Sequence, residues 1–251
     1  MTTGEPYFPA FTPGEWLKFY LIPPGLYVQY LDSKHRRTGE AELRLLAEIV
    51  PADRVAIDVG ANKGVYTRAL ARIASHVHAF EPNPKAFRWL NRALPKNVSA
   101  HPLALSDRDG RTDMYVPKRG RGFSNQMGSL SPARAADPHG QISVDARTLD
   151  ACAFSNVGFI KIDVEGFEMQ VLAGARGTIA HFKPVLLIEL EERHTDRKIE
   201  DLIGDVAAFG YSAHFVDGGG IKPIAAFDPE TRHRNCATKD DYVFNFIFQP
   251  L

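Results

Sequence analysis

Two sets of residues in this sequence could do chemistry together: glycines that close a strand-to-helix turn, and carboxylates that fall where strands should end. The turn is VAIDVGANKG, Val55 to Gly64. Val55, Ala56, Ile57 and Val59 form a near-continuous apolar run, as in a parallel strand covered on both faces. Gly60 and Gly64 bracket the turn, and Val65, Ala69, Leu70 and Ile73 then recur at helical spacing. Glycine lets the backbone approach a ligand closely. The helix start presents free N–H groups and the positive end of a dipole. Asp58 and Asn62 are the short polar residues of the turn. Glu81 stands 21 residues after Gly60, near the spacing of roughly 20 expected for a ribose-binding acid. Asp163 with Glu165, and then Glu189, end later strands, and His194 follows. In a doubly wound sheet ligands collect outside the carboxyl ends of the strands, so these acids mark a cofactor site of nucleotide type with proton acceptors beside it.

The spacing separates the cofactors. A dinucleotide turn reads G-x-G-x-x-G, whereas here it is Gly60-x-Asn62-x-Gly64, with a carboxylate two residues earlier that suits a cation better than a pyrophosphate. An NAD-linked dehydrogenase is therefore disfavoured. The pattern resembles motif I of the class I S-adenosylmethionine-dependent methyltransferases, in which this turn packs against the amino-acid end of the cofactor. IKIDVEGFE (residues 160 to 168), IDVGANKGVYT and the LALSDRDG turn together closely resemble the FkbM family of methyltransferases, over roughly residues 40 to 190. The resemblance implies a class I fold, S-adenosyl-L-methionine as cofactor, and O-methylation of a hydroxyl on a small molecule, natural product or sugar. It puts the glycine turn, Glu81 and the Asp163 region around cofactor and reaction centre. The candidate cofactor-binding residues are Asp58, Gly60, Asn62, Gly64, Tyr66, Glu81, Pro82, Leu105, Ser106 and Asp163. Leu103, Ala104 and Leu105 would sandwich the adenine, with Ser106 or Asp107 taking its amino group.

Methyl transfer is an in-line displacement, so the protein must align the acceptor and help remove its proton. The candidate catalytic residues are Asp163, Glu165, Glu189 and His194, expected to converge because the strands that carry them are neighbours. Asp163 has a second reading, holding the cofactor's amino group. Asp163, Glu165 and Glu189 are also hard oxygen ligands that suit Mg²⁺, but no spacing demands a metal, and a metal-free reaction is expected. Two alternatives stay open: N-methylation of a small amine held by the acidic rim, and a non-catalytic S-adenosylmethionine-binding protein.

The elements that position these groups alternate strand and helix. The expectation is an α/β fold, a Rossmann-like seven-stranded class I methyltransferase sheet, mostly parallel with an antiparallel last strand and helices on both faces. Expected strands are residues 55–59, 76–80, 98–105 (a strand with its turn), 157–164, 185–190, 211–216 and 242–248, with a short extra strand at 112–116 and another at 142–149. Leu43, Leu46, Ala47 and Val50 predict one helical face, and Phe87, Leu90 and Leu94 another. Asn83 and Asp196 are the expected caps of their helices. Residues 117 to 140 read as an irregular loop that helps close the acceptor pocket. Residues 1–39 form an aromatic and proline-rich arm with one short helix near Glu15 to Leu21, and residues 40–251 the methyltransferase domain. So many aromatics must pack on something: on the main domain, on a second subunit in a homodimer, or as a lid over the substrate.

The 251 residues are 44% hydrophobic, enough for a sizeable core, with 30 basic against 30 acidic side chains. That balance speaks against a nucleic-acid partner. Cys152 and Cys236 make neither a metal spacing nor a disulfide framework. No apolar run approaches the roughly 20 residues that span a bilayer, and the N-terminus lacks signal-peptide character. The expected partner is a small-molecule or glycan acceptor, with no membrane partner and a cytoplasmic location.

Overall fold

The computed structural model describes residues 5–6, 10–38, 41–119, 122–123, 128–131 and 139–251. Helices α1 (Pro13–Leu21), α2 (Pro24–Thr38) and α3 (Glu42–Ile49) lead into the alternating part. That part comprises β1 (Val55–Val59), α4 (Val65–Leu70), β2 (His76–Phe80), α5 (Pro84–Leu90), β3 (Val98–His101), β4 (Gly110–Arg119), β5 (His139–Arg147) and β6 (Val157–Ile162). It continues through α6 (Glu168–Ala173), α7 (Arg176–Phe182), β7 (Val185–Glu189), α8 (Ile199–Ala207), β8 (Tyr211–Asp217), β9 (Gly220–Pro223) and β10 (Asn245–Pro250).

The main sheet has the order β9-β8-β10-β7-β6-β1-β2-β3. Strands β3, β2, β1, β6 and β7 run parallel. The last strand, β10, inserts antiparallel between β7 and β8, as expected. The sheet has eight strands rather than seven because β9 folds back on β8 as an edge hairpin across Gly218 and Gly219. The final strand begins at Asn245, not at 242, which leaves Tyr242 and Phe244 in the preceding loop.

Every residue of β6 is buried, as two covered faces require. Alternate residues feed two cores. Ala56, Phe159 and Leu187 pack with α3 and α4, while Ile57, Ile160 and Ile188 pack with α6, α7 and α8. In α3 the buried face is Leu43, Leu45, Leu46 and Ile49, and Ala47 is exposed. In α5 it is Ala86, Trp89 and Leu90, with Phe87 and Leu94 only partly covered.

A second sheet flanks the first. Strands β4 and β5 pair antiparallel from Gly110 to Pro117, so the extra strands are longer than expected and the region from 117 to 140 is not a single loop. Ala104–Leu105, expected in the turn after the third strand, pairs with β5 of the second sheet instead. The arm also departs from expectation, since α1 and α2 make it mostly helical. Thr12 and Glu15 form a capping box, and Pro13 occupies the first turn. Phe19 of α1 meets Trp89 edge-on and Tyr27 of α2 packs tilted against it, at 4.9 and 4.6 Å between ring centres, and Glu15 pairs with Lys85 at 2.8 Å. Tyr7, Phe8 and Gly39 lie outside the described residues. No described helix is long and apolar enough to cross a membrane.

Candidate active site

The glycine turn is held from three sides. The N–H groups of Gly60 and Ala61 both donate to Phe80 O at 3.0 Å, which ties the turn to the end of β2. Gly60 has φ +80°, and a Cβ there would lie 1.8 Å from the carbonyl oxygen of Asp163. Only glycine permits that approach of β1 to β6. Glu81 supplies the third tie: its two carboxylate oxygens accept from the N–H groups of Asn62 and Asn83, each at 2.7 Å. Burial pushes the Glu81 carboxyl up to about 7, against the pull of those two amides. Asn83 caps α5 as expected, accepting from Lys85 N–H at 2.9 Å.

Around this turn lies a cavity of about 230 Å³, lined among others by Gly60, Asn62, Glu81, Pro82, Leu103, Leu105, Met114, Leu130, Asp163, Glu165 and Glu189. Eight of the sequence candidates thus meet at one place. Gly60, Asn62 and Asp163 also border a smaller neighbouring cavity of about 100 Å³, together with Asp58, Tyr66, Lys161 and Leu31 of α2. Asp58 is fully buried. Its Oδ2 accepts from the Thr67 hydroxyl at 2.5 Å, while Oδ1 has no hydrogen-bond partner among the described residues. Burial raises the Asp58 carboxyl, and Lys161 partly offsets this.

Three candidates line neither cavity, each for a local reason. Gly64 opens α4 at φ +84°, and a Cβ there would meet Leu90 at 2.8 Å, so it serves helix packing. Ser106 is drawn away by the pairing of 104–105 with β5; its N–H donates to Arg147 O and its hydroxyl to Asp107. Its place against the adenine is not what this geometry offers. His194 sits in the short helix Glu192–His194, with its side chain only 3% exposed, behind Glu165. The expected cap Asp196 does not cap α8. Glu192 takes that role by accepting from Ile199 N–H at 2.7 Å.

The acids and His194 do converge. Ligand atoms of Asp163, Glu165 and Glu189 lie within 4.8 Å of one another, and so do those of Glu189, Glu191 and His194. His194 Nε2 is 3.2 Å from Glu165 Oε2 and 3.8 Å from Glu191 Oε1. Glu165 is held at φ +58°, and its carbonyl accepts from the Ser129 hydroxyl at 2.7 Å. Burial, and then Asp163, raise the Glu189 carboxyl well above the carboxylate range, and it shares a hydrogen bond with Glu191. Burial acts on Glu191 in the same upward sense, but hydrogen bonds from Glu189 and Tyr242 bring it below its ordinary value. Tyr242 donates its hydroxyl to Glu191 at 2.5 Å, and Arg193 pairs with the same carboxylate.

Sequence reasoning missed Lys161, Glu191, Tyr242 and Ser129. Lys161 had a signal, as the one charged residue in an apolar strand. Its Nζ bonds Asp163 at 2.7 Å, and Asp163 and Asp58 raise its pKa although burial works the other way. Glu189 also borders an open cleft of about 930 Å³ walled by Arg193, Arg234, Lys239, Tyr242 and Phe244, so one carboxyl joins the two spaces.

The two adjoining cavities fit S-adenosyl-L-methionine on their own features: a glycine turn closed to any Cβ, a buried carboxylate at ribose spacing and apolar walls at Leu103 and Leu105 in the larger, and in the smaller a buried Asp58 oxygen that no described residue hydrogen-bonds. The FkbM methyltransferase domain profile matches residues 58–215. The chain is 28% identical over 151 residues to Methyltransferase 1 of Beauveria bassiana, covering 49% of this chain and 59% of that protein. It is 31% identical over 150 residues to the hexuronic acid methyltransferase AglP of Haloferax volcanii, covering 54% and 56% respectively. The matched stretch thus spans little more than half the length of these relatives. The crystal structure of the methyltransferase FkbM from Methylobacillus flagellatus shares the fold with a TM-score of 0.51 at 18% identity, over 79% of this chain and 44% of that one. The chain belongs to the FkbM methyltransferase family, and its cofactor is S-adenosyl-L-methionine.

Proposed function

We propose that this protein O-methylates a hydroxyl of a small molecule or sugar, with the acceptor entering through the open cleft beside Glu189. The observation that carries this reading is the junction: Glu189 lines both the cavity at the glycine turn and the cleft, and Glu165 stands next to it with His194 behind. The name of the Haloferax relative, a hexuronic acid methyltransferase, supports a sugar. The stacked rings of Tyr242 and Phe244, 5.7 Å apart on the cleft wall, suit the flat face of a sugar ring.

The residues divide the work. Gly60, Asn62, Glu81 and Asp163 would hold the cofactor, and Lys161 fixes the Asp163 carboxylate. When bound, the cofactor supplies an electrophilic methyl group. Glu165 accepts the acceptor's hydroxyl proton, and His194 Nε2, 3.2 Å away, orients that carboxylate and shares the charge change. His194, one of the four candidates with Asp163, Glu165 and Glu189, is thereby a positioning residue, and Glu165 is the base. Glu189, which keeps its proton, donates to Glu191 and orients the acceptor oxygen. Met114, Ser129 and Leu130 cover the cavity and exclude water.

A metal-free reaction is part of the proposal. Lys161 already holds Asp163, while Arg193 and Tyr242 already hold Glu191, so each trio of candidate ligands has a cation or donor in place. The test is to incubate the protein with S-adenosylmethionine carrying a labelled methyl and a panel of hexuronosides, neutral glycosides and small amines, with and without a chelator. A labelled methyl ether, formed equally with chelator present, is the expected product. A labelled amine as the only product, or loss of activity on chelation restored by Mg²⁺, would overturn the corresponding part.

A further inference from the structure

Seven large hydrophobic side chains are exposed among the described residues, and six of them lie on the two arm helices. Trp16, Leu17, Tyr20 and Leu21 repeat at helical spacing on α1, and Leu26 and Tyr30 are one turn apart on α2. They are 52% to 67% exposed. The seventh is Leu251, the last residue. Three half-exposed aromatics with three leucines amount to several hundred Å², the size of patch that marks an interaction site on a monomer. The cause lies in how the helices are anchored. Phe19 and Tyr27 turn inward onto Trp89, Val28 is buried, and among the described residues the opposite sides of both helices are left without cover.

We propose that this face docks the protein on an anionic lipid surface. The charge of the arm supports that occupant. From Thr12 to Thr38 the sequence carries Lys18, Lys34, Arg36 and Arg37 against Glu15 and Asp32, in a chain whose charges balance overall. Glu15 is already paired with Lys85, and Lys18 is exposed between Leu17 and Phe19. Tryptophan and tyrosine, with one apolar and one polar end, favour the boundary between headgroups and acyl chains, leucines insert below it, and basic residues meet the anionic headgroups. A second copy is the poorer occupant. In a two-fold dimer the same patch faces itself, so the excess positive charge of one arm would meet that of the other. The expectation of no membrane partner rested on the lack of a spanning segment, and a helix lying in the interface needs none.

The experiment is flotation of the full-length protein with vesicles of equal parts phosphatidylglycerol and phosphatidylcholine, read together with tryptophan emission. The chain has two tryptophans. Trp89 is 4% exposed and Trp16 is 52% exposed, so a blue shift on vesicles reports Trp16. The expected result is flotation with a blue shift, weakened by salt and absent on pure phosphatidylcholine. The double variant Trp16→Ser/Leu21→Ser should stay with the soluble fraction; both side chains are more than half exposed, and an unchanged melting temperature checks the fold. Lys18→Gln/Lys34→Gln, at two exposed cations whose replacement removes none of the six apolar side chains, should lower the partition coefficient about fivefold for each cation removed. Three results overturn the proposal: no flotation of the wild type, flotation unaltered by the serine variant, or a dimer in light scattering that the serine variant converts to monomer.

Discussion

Glu81→Gln separates the electrostatics of this site from its shape. In the wild type both carboxylate oxygens accept backbone N–H groups, and burial holds the carboxyl at about 7. Near pH 8 it is mainly the carboxylate, with lone pairs left for two ribose hydroxyls; at pH 6 about nine-tenths is protonated and one oxygen becomes a donor. S-adenosylhomocysteine should therefore bind the wild type about tenfold more weakly at pH 6 than at pH 8, and about a further tenfold more weakly at pH 5, at about 1.4 kcal/mol for each tenfold. The Gln variant should show no such slope, and at pH 8 should already bind about 1.5–3 kcal/mol more weakly, as when a hydrogen bond to a charged group is lost. Folding should respond in the opposite sense. A carboxyl whose pKa is higher folded than unfolded holds its proton more tightly when folded. Its contribution to stability is thus full below the ordinary glutamate value of about 4.3 and is lost as pH rises to about 7, roughly 4 kcal/mol in all. The variant lacks that loss but turns one amide N–H toward a backbone N–H, at a cost of about 1–3 kcal/mol at every pH. Calorimetric titration and urea unfolding from pH 5 to 8.5 measure both. Glu168, also raised to about 7 by burial, is common to both proteins and cancels in the difference. A wild-type affinity that is level from pH 5 to 8, or a variant that matches the wild type at pH 8, would refute the assignment of Glu81 to the cofactor.

Gly60→Ala should unfold the turn: with a Cβ 1.8 Å from Asp163 O and φ at +80°, a loss of at least about 3 kcal/mol in urea unfolding is expected, and wild-type stability would show that the approach of β1 to β6 is looser than described. Glu165→Gln should lower kcat by about 10²–10⁴-fold with S-adenosylhomocysteine affinity kept. His194→Gln should cost less, while shifting the acidic limb of the pH–rate profile; if it costs more than Glu165→Gln, the base and its support are reversed. His78 is lowered to about 4, first by burial and then by His76 and His101. A histidine with a depressed pKa contributes stability above about 6.5 that is lost as pH falls toward 4. His78→Asn should flatten that part of a thermal-melting profile, and an unchanged slope would remove His78 as its source.

The central strands were legible because burial on both faces leaves a nearly unbroken apolar run, as in Val157 to Ile162. The arm was not. Its prolines read as breaks, yet Pro13 and Pro24 each stand at a helix start, where a missing N–H costs nothing. The signal that was present, Thr12 with Glu15, is a capping box. Trp89 was passed over because it falls between Phe87 and Leu90 in the expected inward stripe, and its value as the anchor of the arm depends on a contact across more than fifty residues that periodicity does not encode. The region after Val116 read as a loop because Pro117, Lys118 and Arg119 are poor strand formers. Pairing with His139–Arg147 overrides that preference through Pro117.

At the site, spacing located the strand ends, and hence the acids, but not the direction of each side chain beyond the last paired residue. His194 lies five residues past Glu189, and a short helical turn carries it behind Glu165 rather than over the cavity. Ser106 lies one residue past a strand that changes sheets. What the sequence could not supply was the balance that lets four carboxylates share this space. Lys161 fixes one on Asp163, Arg193 and Tyr242 fix Glu191, His194 faces Glu165, and a proton stays on Glu189. Removing one support should therefore alter the titration of the whole group rather than of one member. Lys161→Met is the sharpest case, since it leaves Asp163 and Asp58 facing each other without their buried cation. The Asp58 carboxyl, which Lys161 pulls down against burial, should then take up its proton at higher pH, and the affinity for S-adenosylhomocysteine, whose amino group we propose Asp163 holds, should fall in calorimetric titration.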